Sequence, residues 1–269
     1  MAVMMNRMLM QEQRRRASTL DPKEVAKFTS FAKDFFWSSP DGRPLRSMNE
    51  IRIPLIRDSV RPLAKDLLKR TIHPLAGIRL VDIGSGGGLV SEPLARLGAN
   101  VTGIDPVQMN VDTAIRHMKE ESSDLSSRLK YEQVSVEAFA SDDQNRCAFH
   151  AVVASEVLEH VEDVTLFLKS VYEMLKPGGK FILTTLNQTL ATQVLAITVA
   201  ENVLNIVPKG THEYRKLVPM QGLILLLQET GFRMEQVTGM IYNPFTNTWS
   251  WSRLTSINYA VVAVKQVSS

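Results

Sequence analysis

From Arg79 onward, short apolar runs alternate with stretches whose apolar residues recur at helical spacing. The runs at 79–83, 100–104, 129–134, 149–154 and 180–185 read as buried strands, and 88–97, 107–119 and 162–175 read as helices. Strand and helix in regular alternation predict a parallel sheet with helices on both faces. Leu175-Lys176-Pro177-Gly178-Gly179-Lys180 has the character of a helix stop. Glycine takes the left-handed conformation that closes a helix, and proline cannot continue one. Two more strands are expected, at 234–239 after Thr230-Gly231-Phe232 and at 257–265.

Upstream of the sheet the pattern is helical. Asp21-Pro22-Lys23-Glu24 supplies an N-cap, a proline at the first helical position and an acid in the first turn. Val25, Phe28, Phe31, Ala32, Phe35 and Phe36 then follow at helical spacing. Two readings fit them: a helix packed on the core, or an aromatic-rich lid over a substrate site. Pro40-Asp41-Gly42-Arg43-Pro44 reads as a turn, and Ile51 to Lys69 as a helix with Pro54 near its start and Pro62 interrupting it. The expected organisation is a disordered tail at 1–20, a helical lid at 21–70 and a main domain at 71–269 that carries an insertion at 187–218.

Within the insertion, Leu190, Val194, Leu195, Ile197, Val203, Leu204 and Ile206 make an apolar stretch with few charges, followed by Lys209, His212, Arg215 and Lys216. Apolar residues beside basic groups suit a peripheral contact with an anionic lipid surface. A core or dimer helix is the other reading.

Composition narrows the class. A chain of 269 residues with 44% hydrophobic residues can build one large α/β domain with an appended segment, or two small ones. The net charge is only +3, and no Arg/Lys stripe interleaved with aromatics appears, so nucleic acid is not an expected partner. Cys147 is the single cysteine, which excludes an intrachain disulfide and suits a reducing compartment. Its place beside a strand predicts an inert buried thiol. No apolar run reaches the roughly 18–20 residues that span a bilayer. Four arginines and one acid precede Asp21, including Arg14-Arg15-Arg16. This composition suits a mitochondrial presequence; a remnant of initiation is the alternative.

The candidate chemistry begins at Leu80-Val81-Asp82-Ile83-Gly84-Ser85-Gly86-Gly87-Gly88. A buried strand carrying the acid Asp82 opens into a glycine loop, whose backbone can approach a ligand closely because no Cβ intervenes. A dinucleotide fingerprint would need glycine at 89, where Leu stands, and a phosphate-binding loop would need Gly-Lys-Ser/Thr where Gly88-Leu89-Val90 stands. The loop therefore favours an adenosine ligand without a pyrophosphate. Asp105 closes the next strand, 21 residues after Gly84. An acid there can accept hydrogen bonds from both ribose hydroxyls.

A second cluster follows the fourth strand, in Ser155-Glu156-Val157-Leu158-Glu159-His160-Val161. If 156–160 form a helical turn, Glu156, Glu159 and His160 share one face. They could then ligate a divalent ion, with Mg²⁺ favoured by oxygen donors and Zn²⁺, Mn²⁺ or Fe²⁺ admitted by the imidazole. Solvated acids and a histidine merely close to a cofactor are the plainer reading. His160 is also a candidate proton acceptor, as is His212.

The loop and its acid resemble those of the class I S-adenosylmethionine-dependent methyltransferases. Further motifs carry a closer resemblance: Asp21-Pro22-Lys23-Glu24-Val25, Phe36-Trp37, Met48-Asn49-x-x-Arg52, the segment from Ser155 to Val161, Leu175-Lys176-Pro177-Gly178-Gly179, Thr185-Leu186-Asn187, Val207-Pro208-Lys209-Gly210-Thr211-His212, Tyr242-Asn243-Pro244-x-Thr246-Asn247-Thr248 and Asn258-Tyr259. This set is similar to the ubiquinone biosynthesis O-methyltransferases, most of all their mitochondrial form.

The resemblance implies a Rossmann-like fold: a mostly parallel, seven-stranded sheet with helices on both faces and a reversed last strand. It implies methylation of ring hydroxyls on polyprenylated catechol intermediates, with Mg²⁺ assisting by chelating both catechol oxygens. Cofactor contacts map onto Arg52, Asp82, Gly84, Gly86, Asp105 and Ser155, and catalytic and metal roles onto Glu156, Glu159 and His160. The implied partners are a membrane surface and a multi-enzyme complex, on the matrix side of the mitochondrial inner membrane. Two other classes compete. A nicotinamide-dependent dehydrogenase is disfavoured by the missing third glycine, and a non-catalytic cofactor-binding scaffold remains open.

Overall fold

The computed structural model describes residues 35–64, 72–189 and 217–267. Five strands pair in parallel: β1 (Arg79–Ile83), β2 (Asn100–Asp105), β3 (Leu129–Gln133), β4 (Phe149–Ser155) and β5 (Leu175–Leu186). Three more complete the sheet: β6 (Phe232–Asn243), β7 (Thr248–Ser252) and β8 (Asn258–Lys265). The spatial order is β3-β2-β1-β4-β5-β8-β6-β7, with β8 antiparallel to both of its neighbours and β7 the hairpin partner of β6. After β1 the chain builds outward to β3, then returns to place β4 on the other side of β1. That reversal opens a crevice at the carboxyl ends of β1 and β4, where sheets of this kind receive ligands.

Among the described residues six helices cover the sheet: α1 (Arg43–Val60), α2 (Ser91–Arg96), α3 (Gln108–Glu121), α4 (Val136–Ala140), α5 (Val164–Met174) and α6 (Met220–Thr230). Successive strand residues point to opposite faces, and two cores follow from that alternation. Val81, Phe181 and Leu183 pack with Phe167 of α5 and Leu223 and Leu227 of α6. Leu80, Ile182 and Val262 pack with Ile56 of α1, Leu94 of α2 and Val111 of α3. The helix ends are chemically specified. Asp163 caps α5 by accepting from the Leu166 amide at 2.9 Å, and α6 stops at Gly231, whose φ is +101°.

The structure extends or corrects several expectations. The sheet has eight strands rather than seven, because Thr248–Ser252, an alternating Trp/Ser segment, pairs with β6 at the sheet edge. α1 begins at Arg43 instead of Ile51. Pro44 lies in its first turn, where a missing amide costs nothing, and Pro54 therefore sits inside the helix. Cys147 is exposed at a φ of +48° rather than buried. The helix start at Asp21, the apolar stretch of the insertion and the Pro208–His212 motif lie outside the described residues. Among the described residues no helix is long and apolar enough to cross a membrane.

Candidate active site

The glycine loop leaves β1 at the crevice and is held from three sides. Gly84, Gly86 and Gly88 have φ of +65°, +53° and +90°, conformations that side chains disfavour. A Cβ at Gly84 would lie 2.6 Å from Val157, and one at Gly86 would lie 2.7 Å from the Phe36 ring. At Gly88 it would strike the Tyr131 hydroxyl. The Tyr131 ring also lies across Gly103 of β2, so a side chain from β3 fills the space beneath the loop. Glycine is thus demanded here by close approach as well as by φ.

Asp105 joins the loop to the end of β2. Its Oδ2 accepts from the Gly86 amide at 3.0 Å, and its Oδ1 from the Val107 amide at 2.8 Å and Asn110 Nδ2 at 3.2 Å. Burial raises its pKa, and these donors oppose the rise. A carboxylate offers about four lone-pair sites, so capacity for a ribose hydroxyl remains. Asp82 lies deeper. It accepts from Ser91 Oγ at 2.6 Å, and burial raises its pKa to about 6 against the lowering effect of Ser91 and Arg52.

Arg52 reaches the crevice from α1. It is buried, and desolvation lowers its pKa to about 10 while Glu156 and Asp82 act in the opposite sense. Its Nη1 donates to Ser155 Oγ at 2.8 Å; Ser155 Oγ lies 2.7 Å from Thr184 Oγ1; and Thr184 Oγ1 donates to Glu156 Oε1 at 2.7 Å. The two ends fix the direction of this chain. Arginine can only donate. Thr184 spends its single proton on Glu156, so the Ser155 proton must point to Thr184. Both hydroxyls are therefore oriented from cation to acid. Glu156 itself holds a φ of +57°, strained for a side chain of that kind, and its amide donates to the Thr184 carbonyl at 2.9 Å.

The expected helical turn over 156–160 does not form. A 3₁₀ turn covers only Leu158–His160, and Glu156 lies outside it in the left-handed region. Glu156 is bonded to Thr184 and Glu159 to Thr185, the latter at 2.8 Å. Thr184 and Thr185 are successive residues of β5, so they face opposite sides of the sheet. Glu159 consequently sits near Tyr259, whose phenol pKa is pushed up by burial and, secondarily, by the Glu159 charge. As arranged, Glu156 and Glu159 do not share a face. Among the described residues, no group of three His, Cys, Asp or Glu side chains is placed to hold an ion.

Several participants escaped sequence reasoning. Thr184 carried no signal, because one hydroxyl at a strand end looks like any other. Asn49 lies within a motif that was singled out, but its role is visible only in three dimensions. Its Nδ2 donates to the Leu89 carbonyl at 2.7 Å and its Oδ1 accepts from Arg52 Nε at 2.6 Å, tying α1 to the loop. The Tyr242–Thr248 motif proves to be a fastening. Asn247, at a φ of +53°, accepts from the Tyr242 hydroxyl at 2.9 Å and from Ser47 Oγ at 3.3 Å, which pins α1 to the β6–β7 turn.

The methyltransferase domain family matches residues 48–237. A Rattus norvegicus protein named mitochondrial ubiquinone biosynthesis O-methyltransferase is 42% identical over 253 residues, covering 93% of this chain and 71% of the rat protein. The chain belongs to the ubiquinone biosynthesis O-methyltransferases. It shares 42% identity over 248 residues with the Homo sapiens mitochondrial protein of that name, spanning 66% of that protein's length. The bacterial ubiquinone biosynthesis O-methyltransferase of Chelativorans sp. (strain BNC1) is 40% identical over 253 residues, with 96% of its length covered.

Solved structures agree on the fold. Magnesium protoporphyrin IX methyltransferase from Synechocystis PCC 6803, crystallised with SAH, superposes with a TM-score of 0.54 at 21% identity, over 87% of this chain and 98% of that one. A putative S-adenosylmethionine-dependent methyltransferase from Listeria monocytogenes does so with a TM-score of 0.52 at 19% identity, over 76% and 98%. The chain thus has the class I methyltransferase fold, and its family membership makes it an S-adenosylmethionine-dependent O-methyltransferase.

Proposed function

We propose that this chain transfers the methyl group of S-adenosylmethionine to a ring hydroxyl of polyprenylated catechol intermediates in ubiquinone biosynthesis. The observation that carries the proposal is the oriented polar chain from Arg52 through Ser155 and Thr184 to Glu156, which places an acid beside the glycine loop. Asp105 takes a ribose hydroxyl, the Gly84–Gly86 backbone supports the donor, and Arg52 with Ser155 holds its methionine end. Asn49 and the Leu45 carbonyl keep Arg52 in place.

Methyl transfer is a displacement in which nucleophile, carbon and sulfur stand in line, so positioning supplies much of the acceleration. The sulfonium charge vanishes along the path, and a site sparing in water favours that loss. A phenol with a pKa of about 10 is mostly neutral at working pH and is a weak nucleophile. Glu156, fixed by Thr184, is the acceptor for its proton, and His160 is the second candidate. A bound Mg²⁺ would supply a Lewis acid that favours the phenolate. Holding one with Glu156, Glu159 and His160 together would need these side chains to move, since the described residues do not place three such groups around an ion. Magnesium titration into the wild type and Glu159→Ala reads whether Glu159 contributes to holding the ion.

A long prenyl tail stays in lipid, so the enzyme must work at the membrane surface. The apolar stretch of the insertion, with Lys209, Arg215 and Lys216 after it, supports a peripheral contact on the matrix side of the inner membrane and access to a biosynthetic complex. Deleting 189–207 should release the protein from anionic liposomes while leaving donor affinity intact. For the chemistry, the test is turnover of a soluble catechol by wild type and Glu156→Gln at equal donor occupancy. A lowered kcat with unchanged donor affinity is expected. Equal kcat would remove Glu156 as the proton acceptor.

A further inference from the structure

The segment from Phe35 to Gly42 lies across the glycine loop as a short strap. Its shape is fixed locally. Arg46 of α1 donates through Nη1 to the Phe36 carbonyl at 3.0 Å and through Nη2 to the Ser39 carbonyl at 2.9 Å. Gly42 provides the bend, since a Cβ there would strike the Phe35 carbonyl and lie 2.8 Å from Arg46. Two aromatic residues of the strap touch the loop. The Phe36 ring rests on Gly86 and Gly87 so closely that a Cβ on either would come within 2.7 Å of it. Trp37 Nε1 donates to the Gly87 carbonyl at 2.7 Å.

Trp37 is fastened in turn to α3. Its indole stacks on His117 with centroids 3.5 Å apart and planes 3° from parallel. His117 shares a 2.7 Å hydrogen bond through Nδ1 with Glu92 Oε1. Glu92 is fully buried and is itself held, its Oε2 accepting from Ser122 Oγ at 2.9 Å and from Arg96 Nη2 at 3.2 Å. The imidazole is therefore fixed from behind and presents a stationary face to the indole. Beside the stack lies a cavity of about 530 Å³, lined by Trp37, Ser38, Arg96, Arg116 and Glu120 among others. The strap has room to lift on that side, and the stack opposes lifting together with the Trp37–Gly87 hydrogen bond.

We infer that His117 is a positioning residue for the methyl donor: it latches the Phe36-Trp37 strap shut on the glycine loop and so slows release of bound S-adenosylmethionine. The loop is the backbone that carries the donor, and the strap grips it through a ring face and a carbonyl at Gly86–Gly87. Donor release requires the loop to relax, and the loop cannot relax until Trp37 parts from His117.

The test is a chase experiment. The full chain is loaded with S-adenosylmethionine, and release is followed after adding excess S-adenosylhomocysteine. His117→Ala should release the donor about two- to twelvefold faster, the range expected when a stacked aromatic pair is lost. His117→Phe, which keeps a ring against Trp37, should restore slow release. Trp37→Phe, which removes the indole N–H from the Gly87 carbonyl, should also speed release; it carries the test if His117→Ala does not fold. Melting temperature is measured in parallel. Release unchanged in His117→Ala and Trp37→Phe, or faster release not restored by His117→Phe, overturns the latch.

Discussion

Thr184 donates to Glu156 Oε1 across 2.7 Å although 28 positions separate them, and the same hydroxyl lies 2.7 Å from Ser155 Oγ. One threonine thus sits at the junction between the Arg52–Ser155 pair and the acid. Thr184→Val keeps the shape and removes the junction. A hydrogen bond to a charged group is worth about 1.5–3 kcal/mol, so kcat should fall by about tenfold or more. Thr184→Ser should restore most of it. Steady-state kinetics on a soluble catechol checks this, and a Thr184→Val enzyme with wild-type kcat would mean that Glu156 needs no orientation.

Gly88 and Gly178 offer a paired control. Both have positive φ, +90° and +75°, but a Cβ at Gly88 meets Tyr131 and one at Gly178 meets nothing within 4 Å. Gly178→Ala should cost about 1–2 kcal/mol, from backbone conformation alone, and leave donor affinity unchanged. Gly88→Ala adds a collision beneath the loop and should both destabilise further and weaken donor binding. Urea midpoints with calorimetric titration of S-adenosylhomocysteine separate the two effects.

Asp82 makes stability depend on pH in a definite direction. Burial raises its pKa from 3.8 to about 6, so the folded state binds the proton more tightly than the unfolded chain. Its stabilising contribution is full below pH of about 4 and is lost as pH rises through about 6. Relative to Asp82→Asn, the wild type should therefore lose stability across that window. Denaturant unfolding from pH 4.5 to 7.5 measures it, and parallel curves for the two proteins would contradict the assigned shift.

Cys147 is exposed and lies away from the crevice, at the amino end of β4. A thiol reagent should label it in the native protein without loss of methyl transfer. Mass spectrometry of the labelled protein, with an activity assay, reads both halves of that expectation.

The parallel half of the sheet was legible in the sequence because its signal is local. Buried strands such as Leu80–Ile83 read as apolar runs, whereas the helix expected to close at Gly178-Gly179 ends earlier, at Met174, and the two glycines lie within β5. The place of the glycine loop was legible for the same reason: Gly84 and Gly86 follow the end of one strand and Asp105 closes the next. What stayed hidden depends on which side of a strand a residue faces at a distant partner. Glu156, Glu159 and His160 looked convergent on helical spacing. Only the pairing of the two acids with Thr184 and Thr185 shows that the strand pleat holds them apart. β7 was missed because Thr-Trp-Ser-Trp-Ser is short and one side of it is wet. Cys147 was misplaced because the turn before β4 carries it outward.

The fastening between α1 and the β6–β7 turn has a consequence for the order of assembly. Trp249 Nε1 donates to the Pro44 carbonyl at 2.9 Å, and Met48 packs against Met240. The helix that delivers Arg52 is seated by a hairpin made some 200 residues later. Contacts that distant in sequence are slow to form. Donor competence should therefore be the last property a refolding chain acquires, with S-adenosylhomocysteine binding lagging behind the recovery of far-ultraviolet circular dichroism. A ribosome-bound chain would share that delay, and could not capture its methyl donor before its final strands had emerged.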